Sequence, residues 1–365
     1  MSRVQRIALS MAAPVLALVV AGIITTVVLL MAGEDAALFW ETILSVPESR
    51  NVVNILNSGS VLYLSGLAAA IGFRMNLFNI GVEGQYRVAT FCAALFAAQA
   101  WLPGYANTFA TLLVGMLAGA AWAGIAGLLR VTRGVSEVIS TIMLNAIAVS
   151  LIAYLLRETG SRQGQTIVTD PIPEGSRVGG IALFSDSQTE VYGLIVVAVA
   201  AGIVFWFLVN RTVFGFNLRA TGMSESAAVA SGVNVKRMTL WAMLISGALA
   251  GLIGMPNLFG ESYNFGSTIQ SGIGFAGIAV ALLGRNNPVG VAFGALIFAF
   301  LNEQANPLGI LAGISPDIIL ITQGAVVLSV VIAYEVVRRY RQRLEQGAVA
   351  DALDRERTST EGATA

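Results

Sequence analysis

Long apolar runs recur along most of this chain, far more of them than one buried core can use. A helix needs roughly 20 apolar residues to cross about 30 Å of hydrocarbon. Ten segments approach that length, near residues 7–32, 51–73, 88–102, 107–129, 137–156, 191–209, 240–259, 271–284, 289–301 and 317–334. Only 12% of the 365 residues are charged, about half the usual share in globular domains. The fold class expected is therefore all-α: a polytopic integral membrane protein with about ten transmembrane helices. The third, eighth and ninth segments are short enough to be partial or re-entrant. Residues 7–32 are too long for a signal h-region and no A-x-A site follows them, so they read as a first crossing.

Composition removes whole chemistries. The chain has no histidine, which excludes His-based triads and His-ligated metals. Its single cysteine, Cys92, lies in an apolar run and excludes internal disulfides and Cys-rich zinc sites. The one lysine, Lys236, stands between Val235 and Arg237 and cannot complete a Walker A loop. With 21 basic and 21 acidic residues, nothing points to nucleic acid. No metal or cofactor is expected. Transport, channel, receptor and scaffold remain.

Ten spans with the N-terminus inside place Arg3, Arg6, Arg74, Arg87, Arg130, Arg133, Arg211, Arg219, Lys236, Arg237, Arg285 and the arginines from Arg338 onward on the inner side. Arg50, Arg157, Arg162 and Arg177 fall outside, a positive-inside distribution that also guided the assignment. Fusing segments eight and nine would reverse the C-terminus, whereas a re-entrant hairpin around Arg285 would not. Residues 1–335 then form the membrane domain, with an outside loop at 157–190 and an inside loop at 210–239. The tail at 336–365 is expected to be cytoplasmic and disordered.

One echo crosses the chain. Ser65-Gly66 precedes Asn76-Leu77-Phe78 at the spacing with which Ser246-Gly247 precedes Asn257-Leu258-Phe259, an offset of 181 residues. A five-plus-five inverted repeat would produce it, and so would chance in a Gly/Ala/Leu-rich chain.

Three segments carry polar groups worth attention. In the inside loop, Ser224 suits an N-cap, Glu225 a helix start and Gly232 a C′ position. The helix between them is too short to hold itself in water and needs a surface to lie against, unless the segment is an ordinary solvated loop. Residues 76–85 interrupt apolar sequence with Asn76, Asn79, Gly81, Glu83, Gly84 and Gln85. Irregular backbone at membrane depth must be buried in protein or line a cavity, and Glu83 at mid-bilayer costs about 2.5–3.5 kcal/mol unless paired. Arg74 and Arg87 are its candidate partners, and an interfacial turn is the plainer alternative. Third, Glu137, Ser140, Thr141 and Asn145 form one polar stripe that faces either a pathway or a neighbouring helix. Asn54, Asn57, Ser58 and Ser65 make a weaker one. Gly115-x-x-x-Gly119 and Gly247-x-x-x-Gly251 are spaced for close helix packing.

FNIGVEGQ (78–85), EVISTIMLN (137–145) and GFNLRATGMSESAAVASGVNV (215–235) resemble the permeases of ABC-type importers for nucleosides and simple sugars, a branch of the branched-chain amino acid and ribose permease superfamily. The resemblance spans roughly residues 50–335, and the long outside loop is similar to that of the larger of two paired permeases. It implies a transport subunit in a bacterial plasma (inner) membrane that is not itself an enzyme. Its partners would be separate ATPase subunits, a second permease (a paralogue or a second copy) and an extracytoplasmic substrate-binding protein. The substrate implied is a nucleoside, with simple sugars next, moved by alternating access. By position, Arg219, Ala220, Gly222, Ser224, Glu225, Ala228 and Gly232 would couple to the ATPase. Asn57, Asn76, Asn79, Glu83, Gln85, Glu137, Thr141 and Asn145 are the expected pathway residues. The rival is an ion-coupled secondary transporter, with Glu83 and Glu137 as ion or proton carriers.

Overall fold

The computed structural model describes residues 3–266, 269–308, 318–333, 335–337 and 339. The elements are almost all helical: α1 (Arg3–Ala32), α2 (Ala36–Ile43), α3 (Ser49–Arg74), α4 (Val82–Ala98), α5 (Tyr105–Arg133) and α6 (Glu137–Thr159) come first. A two-residue hairpin of β1 (Ser161–Gln163) and β2 (Thr166–Val168) follows. Then come α7 (Ile195–Arg211), α8 (Val213–Met223), α9 (Glu225–Ala230), α10 (Val235–Ala250), the single turn α11 (Met255–Asn257), α12 (Ile273–Leu283) and α13 (Pro288–Pro307). A last helix, α14, covers Ile318–Val337.

Among the described residues six helices are long and apolar enough to cross a membrane, and α7 with α8, bent by 71°, makes a seventh candidate. Each of the ten apolar segments nevertheless coincides with a helix. The ninth is longer than its apolar run, because α13 reaches 20 residues. The third and eighth are short because α4 and α12 start only after non-helical backbone, at residues 75–81 and at residues 263–266 and 269–272.

The chain forms two compact units. One comprises Met1–Leu44 with Ala305–Ala365; within it Asp35 caps α2 by accepting from the Ala37 and Leu38 amides, and Trp40 Nε1 donates to Thr26 Oγ1 at 2.9 Å. The other, Ser45–Gln304, is built on α3, α4, α5, α10 and α12. The expectation for the tail at 336–365 falls outside the described residues, apart from 336, 337 and 339.

In the larger unit α5 and α10 cross where their glycines meet. A Cβ on Gly119 would stand 2.2 Å from the Gly247 carbonyl oxygen, and one on Gly251 would stand 2.2 Å from that of Gly115. Small residues four apart on both helices allow this backbone contact. Gly119→Leu should therefore be severely destabilising, beyond the roughly 1–3 kcal/mol of ordinary overpacking, whereas Gly134→Ala, open but at positive φ, should lower stability less. Thermal unfolding of the two variants in detergent compares them.

α3 ends in a Schellman motif. The Leu77 amide bonds the Gly72 carbonyl and the Asn76 amide that of Phe73, with Asn76 at φ 59°. At the same end Arg74 donates to the Asn286 carbonyl, in the turn between α12 and α13. The other end of α12 lies deep, where Ser65 Oγ donates to the Ile273 carbonyl. So α12 runs alongside only the last third of α3, over about 16 Å at 1.5 Å per residue. Segments eight and nine are separate helices joined by the turn at Arg285, and α12, at 11 residues, is shorter than a membrane span.

The echo extends to one element boundary. Adding 181 to the first residue of α5 gives 286, two short of the first residue of α13. The first Asn-Leu-Phe lies in the non-helical stretch after α3, whereas the second lies where the helical stretch Val235–Ser262 passes into its π turn.

Candidate functional site

Three constellations arise from these helices. The first is a buried clamp on the broken backbone before α4. Asn79 is buried and uses its whole amide: Nδ2 donates to Gln85 Oε1 (3.0 Å) and Ser246 Oγ (2.8 Å), while Oδ1 accepts from the Gly81 amide and Gln85 Nε2. Ser246 Oγ in turn donates to the Ala68 carbonyl at 2.6 Å. Glu83, also buried, accepts from the Gly272 amide on Oε1 (2.9 Å) and the Gly274 amide on Oε2 (2.8 Å). These are the free donors at the start of α12, where the helix dipole favours an anion. Arg87 Nε stands 3.1 Å from Glu83 Oε1. Of the two candidate partners Glu83 takes Arg87, which sits one turn inside α4 and is not the loop cation its place in the sequence suggests.

The polar stripe of α6 is turned onto α4. Asn145 accepts from the Gly84 amide (2.9 Å) and donates to the Ile80 carbonyl (2.9 Å), splinting the start of α4 from outside. Thr141 is buried and bonds back to the Glu137 carbonyl, and Glu137 pairs with Arg130 at 3.2 Å. Asn57 holds a different segment, donating to the Glu190 carbonyl and accepting from the Tyr192 amide. Asn76, exposed, is the left-handed residue that ends α3. The structure thus brings Asn79, Glu83, Gln85, Thr141 and Asn145 together around one break, with Thr141 against Gly81, pairs Glu137 with Arg130, and places Asn57 apart from them.

The second constellation was not anticipated from sequence. At the end of the larger unit opposite Arg74, the backbone of Thr169 and Ile172 bonds the carbonyls of Phe265 and Tyr263. Between the β-hairpin and the break after α10 lies a polar cavity of about 390 Å³, lined by Gln163, Thr166, Asn257, Glu261, Asn264 and Gln270 among others. Glu261 belongs to a π-helical turn, Leu258–Ser262, a local form frequent at functional sites. Asn257 is the signal that was available, as the second copy of Asn76 in the echo.

The third is the elbow α7–α8–α9 at the arginine-rich end. Thr212 caps α8 and Ser224 caps α9, and Gly232 follows α9 at φ 83°, so both cap assignments from sequence hold. The extra helix α8 was not foreseen. Arg219 turns inward and donates from Nη1 to the Val209 carbonyl. Gly222 packs against α3, where a Cβ would stand 2.4 Å from the Arg74 carbonyl oxygen. Ala228 is buried, whereas Glu225, Met223 (88% exposed) and Val229 (59%) face outward.

Among known proteins, the profile of a family described as "Branched-chain amino acid transport system / permease component" matches residues 51–331. The guanosine ABC transporter permease protein NupP of Bacillus subtilis is 36% identical over 75% of this chain and 78% of its own length. The nucleoside ABC transporter permease protein NupB of Lactococcus lactis is 30% identical over 88% and 90%. The glucose ABC transporter permease protein TsgB13 of Haloferax volcanii is 32% identical over 83% and 81%.

Proposed function

The chain belongs to the family of branched-chain amino acid transport system permease components, and on that footing we propose that it moves nucleosides across the membrane as the permease subunit of an ATP-driven importer. It is a multi-pass membrane permease of the ABC type. The observation that carries the nucleoside reading is the similarity to NupP and NupB over at least three quarters of the chain. The similarity to TsgB13 favours glucose or a related sugar as the second reading. Loss of the gene should abolish uptake of labelled guanosine or uridine at micromolar concentration; unchanged nucleoside uptake with lost glucose uptake would favour the second.

The elbow Val213–Gly232 is proposed to dock in a groove of the ATPase. Its exposed Met223, Glu225 and Val229 would meet the partner, while Arg219, Gly222 and Ala228 tie the elbow to α7 and α3 and Ala220, Ser224 and Gly232 shape it. A second permease, as paralogue or second copy, and an extracytoplasmic binding protein complete the assembly. The pathway is proposed to pass beside the broken backbones at 75–81 and before α12 at 269–272. Asn79, Glu83, Gln85, Thr141 and Asn145 hold it open with Asn57, Asn76 and Glu137 in support. Mixed broken helices and polar clamps of this kind serve alternating access elsewhere.

Both termini are proposed to be cytoplasmic, with the hairpin outside, following the arginine distribution. Ser185→Cys in a Cys92→Ala background should react with an impermeant maleimide in intact cells, and Ser226→Cys only after permeabilisation. Both positions are exposed. The reverse pattern would invert the topology.

A further inference from the structure

The polar cavity beside the hairpin holds a carboxylate that is only half used. Tyr192 OH and Asn257 Nδ2 both donate to Glu261 Oε2, the latter at 3.2 Å, and Ser262 Oγ donates to Asn257 Oδ1 at 2.6 Å. One oxygen is thereby fixed in place, and Oε1 has no partner among the described residues. The side-chain amides of Gln163, Asn264 and Gln270 line the same space and are likewise without hydrogen-bond partners among the described residues. Its volume, about 390 Å³, falls within the range of small-molecule sites, which run to about 300–1,000 Å³. The floor continues downward, because Tyr86 OH bonds the Gln270 carbonyl and two residues later Gly272 bonds Glu83. Irregular backbone persists at membrane depth where it lines a cavity, and Gln270 joins the lining of this one to the backbone that Glu83 clamps.

We propose that this cavity binds the vicinal diol of a neutral, sugar-bearing substrate, with the Glu261 carboxylate accepting the two hydroxyls and the surrounding amides reading the remainder. The inference rests on the import reading above. A carboxylate is the acceptor that binding sites elsewhere place on a ribose 2′-hydroxyl, and charge-assisted hydrogen bonds of this kind are the stronger ones. Tyr192 and Asn257 orient the group. The diol comes either from the ribose of a nucleoside or from a free hexose.

The test is equilibrium binding of labelled adenosine, 2′-deoxyadenosine and glucose to the permease–ATPase complex in nanodiscs. The wild type is expected to hold adenosine about tenfold tighter than 2′-deoxyadenosine, which keeps only the 3′-hydroxyl, and Glu261→Gln to remove that preference by weakening adenosine about tenfold more than 2′-deoxyadenosine. Tyr192→Phe, which frees the carboxylate, should erode the preference part-way and carries the same test if Glu261→Gln assembles poorly. Binding of glucose in place of adenosine, weakened about tenfold by Glu261→Gln, would keep the diol site and discard the nucleoside reading. Three results overturn the proposal: equal weakening of adenosine and 2′-deoxyadenosine; no binding of any of the three by the wild type; or unchanged small-molecule binding with weakened capture of the extracytoplasmic binding protein, which would make the cavity a protein-docking surface.

Discussion

Met223→Asp and Val229→Asp are each expected to cut ATP-dependent uptake by more than about tenfold while the permease remains folded and inserted. Both side chains project from the elbow and are largely exposed among the described residues, so the substitutions cost little in the isolated subunit, within the roughly ±0.5 kcal/mol typical of surface changes. Against a desolvated groove on an ATPase the same carboxylate would be an unpaired buried charge, the most expensive kind of interface change. Co-purification of the ATPase with each variant, beside its thermal unfolding, separates the two effects. Arg219→Glu is a poorer probe, because Arg219 holds the end of α7 through the Val209 carbonyl and its loss would disturb the elbow itself. Normal ATPase capture and uptake by both aspartate variants would remove the docking assignment.

Glu83→Ala should have the second large effect. It strips the acceptors from the Gly272 and Gly274 amides and leaves Arg87 without its carboxylate, deep in the unit. Removing one partner of a buried pair typically costs about 3–5 kcal/mol, enough to prevent accumulation of many membrane proteins. Glu83→Gln keeps the shape and one acceptor oxygen, so it should retain more folded protein, though less than the wild type. Yield and thermal stability in detergent give the order: wild type, then Gln, then Ala. The order also distinguishes a capping carboxylate from a proton carrier, since a carrier would lose coupled transport in both variants with stability intact.

Much of this architecture was legible because the bilayer leaves so few options. A long apolar run has to become a helix, and each of the ten coincides with one, six of them among the described residues long and apolar enough to span by themselves. The caps at Ser224 and Gly232 are local chemistry and needed no tertiary information. The glycine pairs of α5 and α10 were legible as packing motifs, although only the structure shows that they meet each other. Polar residues were harder. Asn145 was singled out for its depth in an apolar helix, and depth alone does not tell whether an amide faces a solute or a neighbour's backbone; here it splints Gly84 and Ile80. Asn76 drew attention as a polar interruption and serves as the left-handed end of α3. The outer cavity was invisible because Gln163, Asn257, Glu261 and Gln270 come from separate segments that converge only once the hairpin folds over the π turn. The bend between α7 and α8 was missed because the apolar run simply ends at 209, and nothing in it marks a 71° turn into another helix.

The account's central claim is that this chain moves nucleosides at the expense of ATP hydrolysed by a partner. Initial guanosine uptake into proteoliposomes containing the permease pair, the ATPase and the binding protein measures it directly. Accumulation that requires ATP on the ATPase side, stops when the ATPase carries an inactivating Walker A substitution, and is indifferent to dissipation of proton and sodium gradients is the predicted result. Uptake that persists with the inactive ATPase and collapses with an ion gradient would contradict the claim and identify an ion-coupled transporter instead.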